Sequence, residues 1–146
     1  MRTSSAELTT RRRPRTSVAR SVLALRKRLL FVCVNRRPDG APKGSCAARG
    51  SIEIHAKLKD MLKQRGLAAV DVRTCTSSCL DTCWAGPSIA VEPDHYYYGR
   101  VALSDVPEIV DALAANRRVE RLVLSPEDFI EPKELRRRES EGEEPR

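Results

Sequence analysis

The sequence predicts an α/β domain, a mixed β-sheet flanked by helices, with disordered charged tails at both ends. Three observations predict it. Short apolar runs alternate with amphipathic helical stripes between residues 29 and 124. A strand–helix–strand unit there demands a crossover and hence a parallel pair. The segments outside that range lack hydrophobic periodicity. At 146 residues the chain suits one domain, with a core that needs no disulfide support.

Residues 1–28 hold nine Lys/Arg against Glu7 alone and read as a basic flexible arm. Residues 11–13 are all Arg and precede the apolar residues 22–25, as in a secretory leader. Arg26, Lys27 and Arg28 break that run, and no small-residue cleavage site follows. The Arg- and Ser/Thr-rich composition also fits a mitochondrial-type targeting arm. A disordered basic leader is the simpler reading.

Residues 29–34 (LLFVCV) form a continuous apolar run, which predicts a buried strand ending at the turn formers of 35–40. A loop continues through Cys46 to Gly50. A helix is expected from Ser51, whose hydroxyl would cap the first turn, with Glu53 at the positive end of the dipole. Ile54, Leu58, Met61 and Leu62 make its apolar stripe, and Gly66 stops it.

Residues 67–74 are expected as the next strand, with Val70 and Val72 alternating against Asp71 and Arg73. A loop over 75–86 carries three cysteines. Runs 87–91 and 96–101, on either side of the turn 92–95, predict a β-hairpin rich in strand formers. A second helix is expected to be capped by Ser104, with Asp105 in its first turn. Its stripe is Val106, Ile109, Val110 and Leu113, and Asn116 ends it. Residues 119–124 read as an extended apolar piece packed on the domain edge. Residues 125–146 read as a charged flexible tail, disordered or loosely helical. The order β-α-β-β-β-α over 29–116 is the thioredoxin-like plan, and the domain is expected to run over 29–124.

The formal net charge is +7, and the excess of cations sits in residues 1–28. The domain itself is therefore not expected to bind nucleic acid. The basic arm leaves open an interaction module for nucleic acid or an acidic partner, but it has no aromatic residue on which a base could stack. No run approaches the ~18 apolar residues of a membrane span. There is no Gly-rich nucleotide loop and no evident acid/base pair of carboxylates.

The chemistry lies in the cysteines. There are five, an odd number, clustered, and the start of the chain is not expected to be a signal peptide, which favours metal or redox chemistry over a disulfide scaffold. Twelve residues separate Cys33 from Cys46, thirty-two separate Cys46 from Cys79, and three separate Cys79 from Cys83. Two pairs, each in a loop leaving a strand, can converge at one end of a sheet, and four thiolates around two irons are what a 2Fe–2S cluster needs.

Gly40, Gly44, Gly50 and Gly86 allow the loops to turn amides inward, and the helix start at Ser51 would offer further amides near Cys46. Arg36, Arg37, Lys43 and Arg49 could raise the reduction potential, although most such cations are simply solvated. Cys75, four residues before Cys79, is either a free thiol at a strand end or a replacement ligand; the first is the plainer reading.

A structural zinc site competes, but its usual short knuckle fits only Cys79/Cys83. A dithiol oxidoreductase lacks its C-x-x-C motif. His55, within a helix, and His95, in a turn, are poorly placed as Rieske-type ligands. Trp84 is expected to shield the site or mark a docking spot, and Tyr96, Tyr97 and Tyr98 to pack a strand.

The run FVCVNRRPDGAPKGSCAARGS, followed after one helix by SCLDTCWAGPSIAV, resembles the thioredoxin-like 2Fe–2S ferredoxins. These are similar to the cluster-bearing small subunit of the respiratory NADH:quinone oxidoreductase. The resemblance covers residues 29–124. It implies a 2Fe–2S cluster on Cys33, Cys46, Cys79 and Cys83, and single-electron transfer between redox partner proteins rather than catalysis. It further implies a cytoplasmic setting in bacteria and often a homodimer. The chain departs from the family at Ser78, where Gly is usual, at Trp84, where an acidic residue is common, and in its extra Cys75.

Overall fold

The computed structural model describes residues 26–141. The expectations for the arm before residue 26 lie outside the described residues.

The apolar run becomes strand β1 (Arg28–Cys33), followed by helix α1 (Ser51–Gln64) and strand β2 (Val72–Ser77). Strands β3 (Ile89–Glu92) and β4 (Tyr96–Tyr98) form the hairpin, and helix α2 (Val106–Ala114) follows. The sheet order is β2-β1-β3-β4. β1 runs parallel to β2, with Cys33 opposite Ser77, and antiparallel to β3. The fold is the mixed, thioredoxin-like α/β plan read from the element order.

The core lies between the sheet and the two helices. Leu30, Val32, Leu58, Val72, Ile89, Val91, Ile109 and Val110 are completely buried. Each fully buried aliphatic side chain of this kind contributes roughly 1.5–3 kcal/mol relative to exposure. The stripe of α1 buries Ile54, Leu58 and Leu62, with Met61 partly covered. Tyr96 and Tyr98 point to the core face of β4, with ring centroids 5.2 Å apart, and the Tyr98 hydroxyl accepts the Val119 amide at 3.0 Å.

Several local expectations need correction. Ser51 is the first helical residue of α1 and caps nothing: the cap position belongs to Gly50 at φ 92°, and the buried Ser51 hydroxyl has no hydrogen-bond partner. Ser104 is not the cap of α2 either. It lies in a 3₁₀ turn, Leu103–Asp105, closed by the Asp105 carboxylate accepting the Ala102 amide at 2.8 Å. The second strand starts at Val72 because residues 67–71 continue the helix exit as a turn, in which the amides of Asp71 and Val72 both reach the Leu67 carbonyl. Val70, expected in the strand, is 57% exposed.

Gly66 ends α1 as expected, at φ 71°, with its amide on the Lys63 carbonyl and the Leu67 amide on the Leu62 carbonyl. Asn116 takes the corresponding left-handed position after α2, at φ 53°.

Residues 119–124 lie along the β4 edge. The Gly99 amide binds the Leu122 carbonyl, and the Leu124 amide binds the Tyr97 carbonyl. The sequence reading starts the tail at residue 125, yet residues 125–131 are fastened to the domain. Trp84 Nε1–H donates to the Asp128 carbonyl at 2.7 Å, Lys43 pairs with Glu131 at 3.1 Å, and Phe129 meets the Tyr97 ring edge-on at 5.1 Å. Beyond them lies helix α3 (Lys133–Glu141), with an Arg137–Glu141 ion pair one turn apart.

Candidate metal centre

The parallel pair β1/β2 points its carboxyl ends the same way, so the chain leaves both strands on one side of the sheet. Cys33 is the last residue of β1, and Cys79 follows β2 by two residues. The antiparallel β3 begins at the same end, and the Cys33 amide donates to the Ser88 carbonyl just before it. The first loop folds back when the Ala47 amide donates to the Asn35 carbonyl at 3.2 Å, and this returns Cys46 to Cys33. The start of α1 is tied to the same point, with the amides of Arg49 and Ser51 both on the Cys46 carbonyl. The amide supply expected from the helix start thus meets the Cys46 backbone rather than its sulfur.

The thiols stand as two close pairs. Cys33 and Cys46 act on each other's ionisation, the first lowered and the second raised. Cys79 Sγ and Cys83 Sγ are 3.2 Å apart. All five cysteines are free. Cys33, Cys46 and Cys83 are buried, whereas Cys79 is half-buried. Two contacts bring the pairs together: Arg37 from the first loop lies 3.8 Å from Cys79 Sγ, and Gly86 of the second loop packs against both Cys46 Sγ and the Cys83 carbonyl. Cys75 does not join them. It sits inside β2 in register with Phe31, so the second loop carries two cysteines and not three.

Backbone amides address the sulfurs. The Asp81 amide donates to Cys79 Sγ at 3.3 Å, and the backbone at Asn35 and Leu80 lowers the Cys33 pKa as that at Ser88 lowers that of Cys46. The sequence reading missed these donors, looking instead to the glycines. A local signal existed: the amide two residues past Cys79, that of Asp81, turns back onto its sulfur. Asp81 manages this at φ 61°.

Gly86 has a different use. A Cβ there would lie 2.6 Å from Cys46 Sγ and 3.2 Å from the Cys83 carbonyl, so only a glycine lets the two loops approach this closely.

The electrostatics differ within each pair. Cys33 is pushed down to about 6, chiefly by its hydrogen bond with Cys46; burial opposes the shift, and the Asn35 and Leu80 amides and the Arg37 charge reinforce it. Cys46 is pushed up by Cys33 and by burial. Cys83 is raised by burial, against the pull of Arg37. The thiolate is the form that ligates metal, so the first pair is already poised to lose a proton near neutrality.

Among the described residues, no group of three or more His, Cys, Asp or Glu stands close enough to hold a single ion. Paired thiols, each with amide donors, fit a binuclear centre, in which each iron takes two protein sulfurs. His55 is half-buried on α1, and burial lowers its pKa. His95 is exposed and pairs with Glu92 at 2.8 Å. Neither approaches the thiols. A groove of about 620 Å³ lined by Arg28, Asp94 and Tyr96 lies at the opposite end of β1 and holds no thiol.

No family model matches the chain. A 2Fe–2S ferredoxin of Aquifex aeolicus (strain VF5) is 39% identical over 97 residues, covering 66% of this chain and 87% of that protein. A 2Fe–2S ferredoxin of Clostridium pasteurianum is 33% identical over 93 residues, covering 64% of this chain and 90% of that one. The crystal structure of the wild-type thioredoxin-like [2Fe–2S] ferredoxin from Aquifex aeolicus superposes with a TM-score of 0.65 at 38% identity. It covers 69% of this chain and 99% of that chain.

Fold and likeness together define a small electron carrier on a thioredoxin-like scaffold, not an enzyme. Identity at this level extends over nearly the whole of both relatives. The chain belongs to the thioredoxin-like 2Fe–2S ferredoxin family.

Proposed function

We propose that this chain carries single electrons between redox partner proteins on a 2Fe–2S cluster held by Cys33, Cys46, Cys79 and Cys83, within a functional domain spanning residues 29–124. The observation that carries the reading is the meeting of two thiol pairs from two loops at one end of the sheet, with Arg37 of the first loop 3.8 Å from Cys79 Sγ of the second and Gly86 packed against both Cys46 Sγ and the Cys83 carbonyl. Bound there, the cluster supplies a one-electron couple. The protein's part is to hold four thiolates, direct amides at them and keep water away from three of the four cysteines. Cys79, the half-buried member, marks the side nearest solvent, and electrons are proposed to enter and leave past Cys79 and Asp81.

A single zinc ion is not favoured, given the family and the pairwise thiols. Pairing of two copies and a cytoplasmic setting belong to the same proposal and are supported by the family resemblance; light scattering tests the first. Nucleic acid is not proposed as a partner. Among the described residues, no helix is long and apolar enough to cross a membrane.

The deciding experiment is anaerobic purification with iron and acid-labile sulfide analysis, visible spectroscopy, and electron paramagnetic resonance after dithionite reduction. Two irons and two sulfides per chain are expected of a 2Fe–2S protein. Cys75→Ser should keep the visible charge-transfer bands and Cys79→Ser should lose them. Equal loss in both would refute the ligand assignment.

A further inference from the structure

We propose that Arg37 is the positioning residue that sets the one-electron potential of this site, by placing one fixed positive charge against both thiol pairs. The inference rests on the ligand reading above and adds which of the four nearby cations does the work.

Arg37 belongs to the loop that carries Cys33 and Cys46, yet its guanidinium faces the other pair. Nη2 lies 3.8 Å from Cys79 Sγ, and Cys83 together with Cys79 raises the guanidinium pKa. Its charge also acts on Cys33. Nη1 donates to the Gly44 carbonyl at 3.1 Å, which fixes the planar fork on its own loop. The described partners of Arg37 are thus a carbonyl and sulfurs, not a carboxylate, so its charge is left for the thiolates.

The other three cations are placed differently. Arg36 is exposed. Lys43 is paired with Glu131 at 3.1 Å, which cancels most of its field. Arg49 donates to the backbone carbonyls of Cys83 and Lys43, and so ties loop to loop without a hydrogen bond to a sulfur.

When a reduced partner delivers one electron, no bond is made or broken and the site gains one negative charge. A cation within about 4 Å in a partly buried site stabilises that added charge far more than a solvated one. Arginine keeps its charge throughout the working pH range, so the effect is constant with pH.

The test uses the full chain, purified anaerobically with its cluster, as Arg37→Gln, Arg37→Lys and Arg49→Gln variants in potentiometric titrations monitored by electron paramagnetic resonance. Arg37→Gln is expected to keep its iron, sulfide and visible spectrum while its reduction equilibrium constant falls about tenfold, which for one electron reads as about 59 mV. Arg37→Lys, with the charge but not the fork, should fall between that variant and the unmutated chain. Arg49→Gln should shift the constant by less than Arg37→Lys does.

An intact spectrum with an unchanged constant in Arg37→Gln overturns the proposal. Should Arg37→Gln not retain the cluster, Arg37→Lys decides: a partial fall supports the proposal, and an unchanged constant overturns it. An unmutated chain without iron and sulfide would instead overturn the ligand reading, and this inference with it.

Discussion

At the scale of a residue, the most constrained position in the site is one without a side chain. A methyl group at Gly86 would lie 2.6 Å from Cys46 Sγ, closer than any Cβ tolerates, while the Gly86 backbone at φ −78° suits any L-residue. Steric exclusion is therefore the whole cost of adding one there. Gly86→Ala should fold with an unchanged far-ultraviolet circular dichroism spectrum and lose most of its iron, because Cys46 must move to make room. Full iron retention would show that Cys46 does not need its present place.

The cysteines themselves were legible in the sequence because their spacing is a one-dimensional record. Their surroundings were not, because the Leu80 backbone that lowers the Cys33 pKa lies 47 residues away in the chain and acts only through the way two loops face each other. The same holds for Arg37: the sequence places it beside Cys33, and only the fold turns it toward Cys79.

At the scale of an element, the helix ends carry the clearest test. Gly66 stops α1 at φ 71°, with open space around a would-be Cβ. Gly66→Ala therefore meets no clash and suffers only the left-handed backbone penalty, a loss of about 1 kcal/mol. It should lower the urea midpoint without changing the slope. The cluster spectrum should be unaffected, since Gly66 lies beyond the end of α1 away from Cys46.

Apolar periodicity made both helices legible, and their stop signals at Gly66 and Asn116 were correctly read, because a left-handed residue is a local requirement. The starts were misread because serine is only one of several ways to satisfy a first turn. A left-handed glycine precedes α1, and a 3₁₀ turn closed by Asp105 precedes α2. The late start of β2 has a similar cause: residues 67–71 read as alternating, but the hydrogen bonds of the helix exit claim their amides first.

At the scale of the whole molecule, residues 125–131 act as a strap from the β4 edge to the first cysteine loop. Asp128 is its fastener. Its carboxylate accepts the Ser125 amide at 2.9 Å and pairs with Arg100 at 3.0 Å, and both contacts hold its pKa below the ordinary 3.8. A depressed carboxyl stabilises the structure fully above its ordinary value and loses that contribution as pH falls through the lowered one. The strap should therefore persist on acidification to about pH 4 and release below it. Asp128→Asn should loosen it already at neutral pH. Trp84, the single tryptophan of the chain, donates to the Asp128 carbonyl and reports release as a red shift of fluorescence. A Trp84 emission that stays constant in Asp128→Asn would show that the strap is held by its other contacts.

The register of β2 has a kinetic consequence. In an unfolded chain, Cys75, Cys79 and Cys83 are near neighbours, while Cys33 and Cys46 are remote, so free iron would be captured first by the wrong trio. Pairing Cys75 opposite Phe31 holds that competitor in the strand, in the same register that sets Cys33 opposite Ser77 at the end of the sheet. Strand formation thus sorts the sulfurs that a nascent chain offers. Refolding with iron and sulfide present from the start should yield less correctly assembled protein than adding them after folding, and Cys75→Ser should narrow the gap.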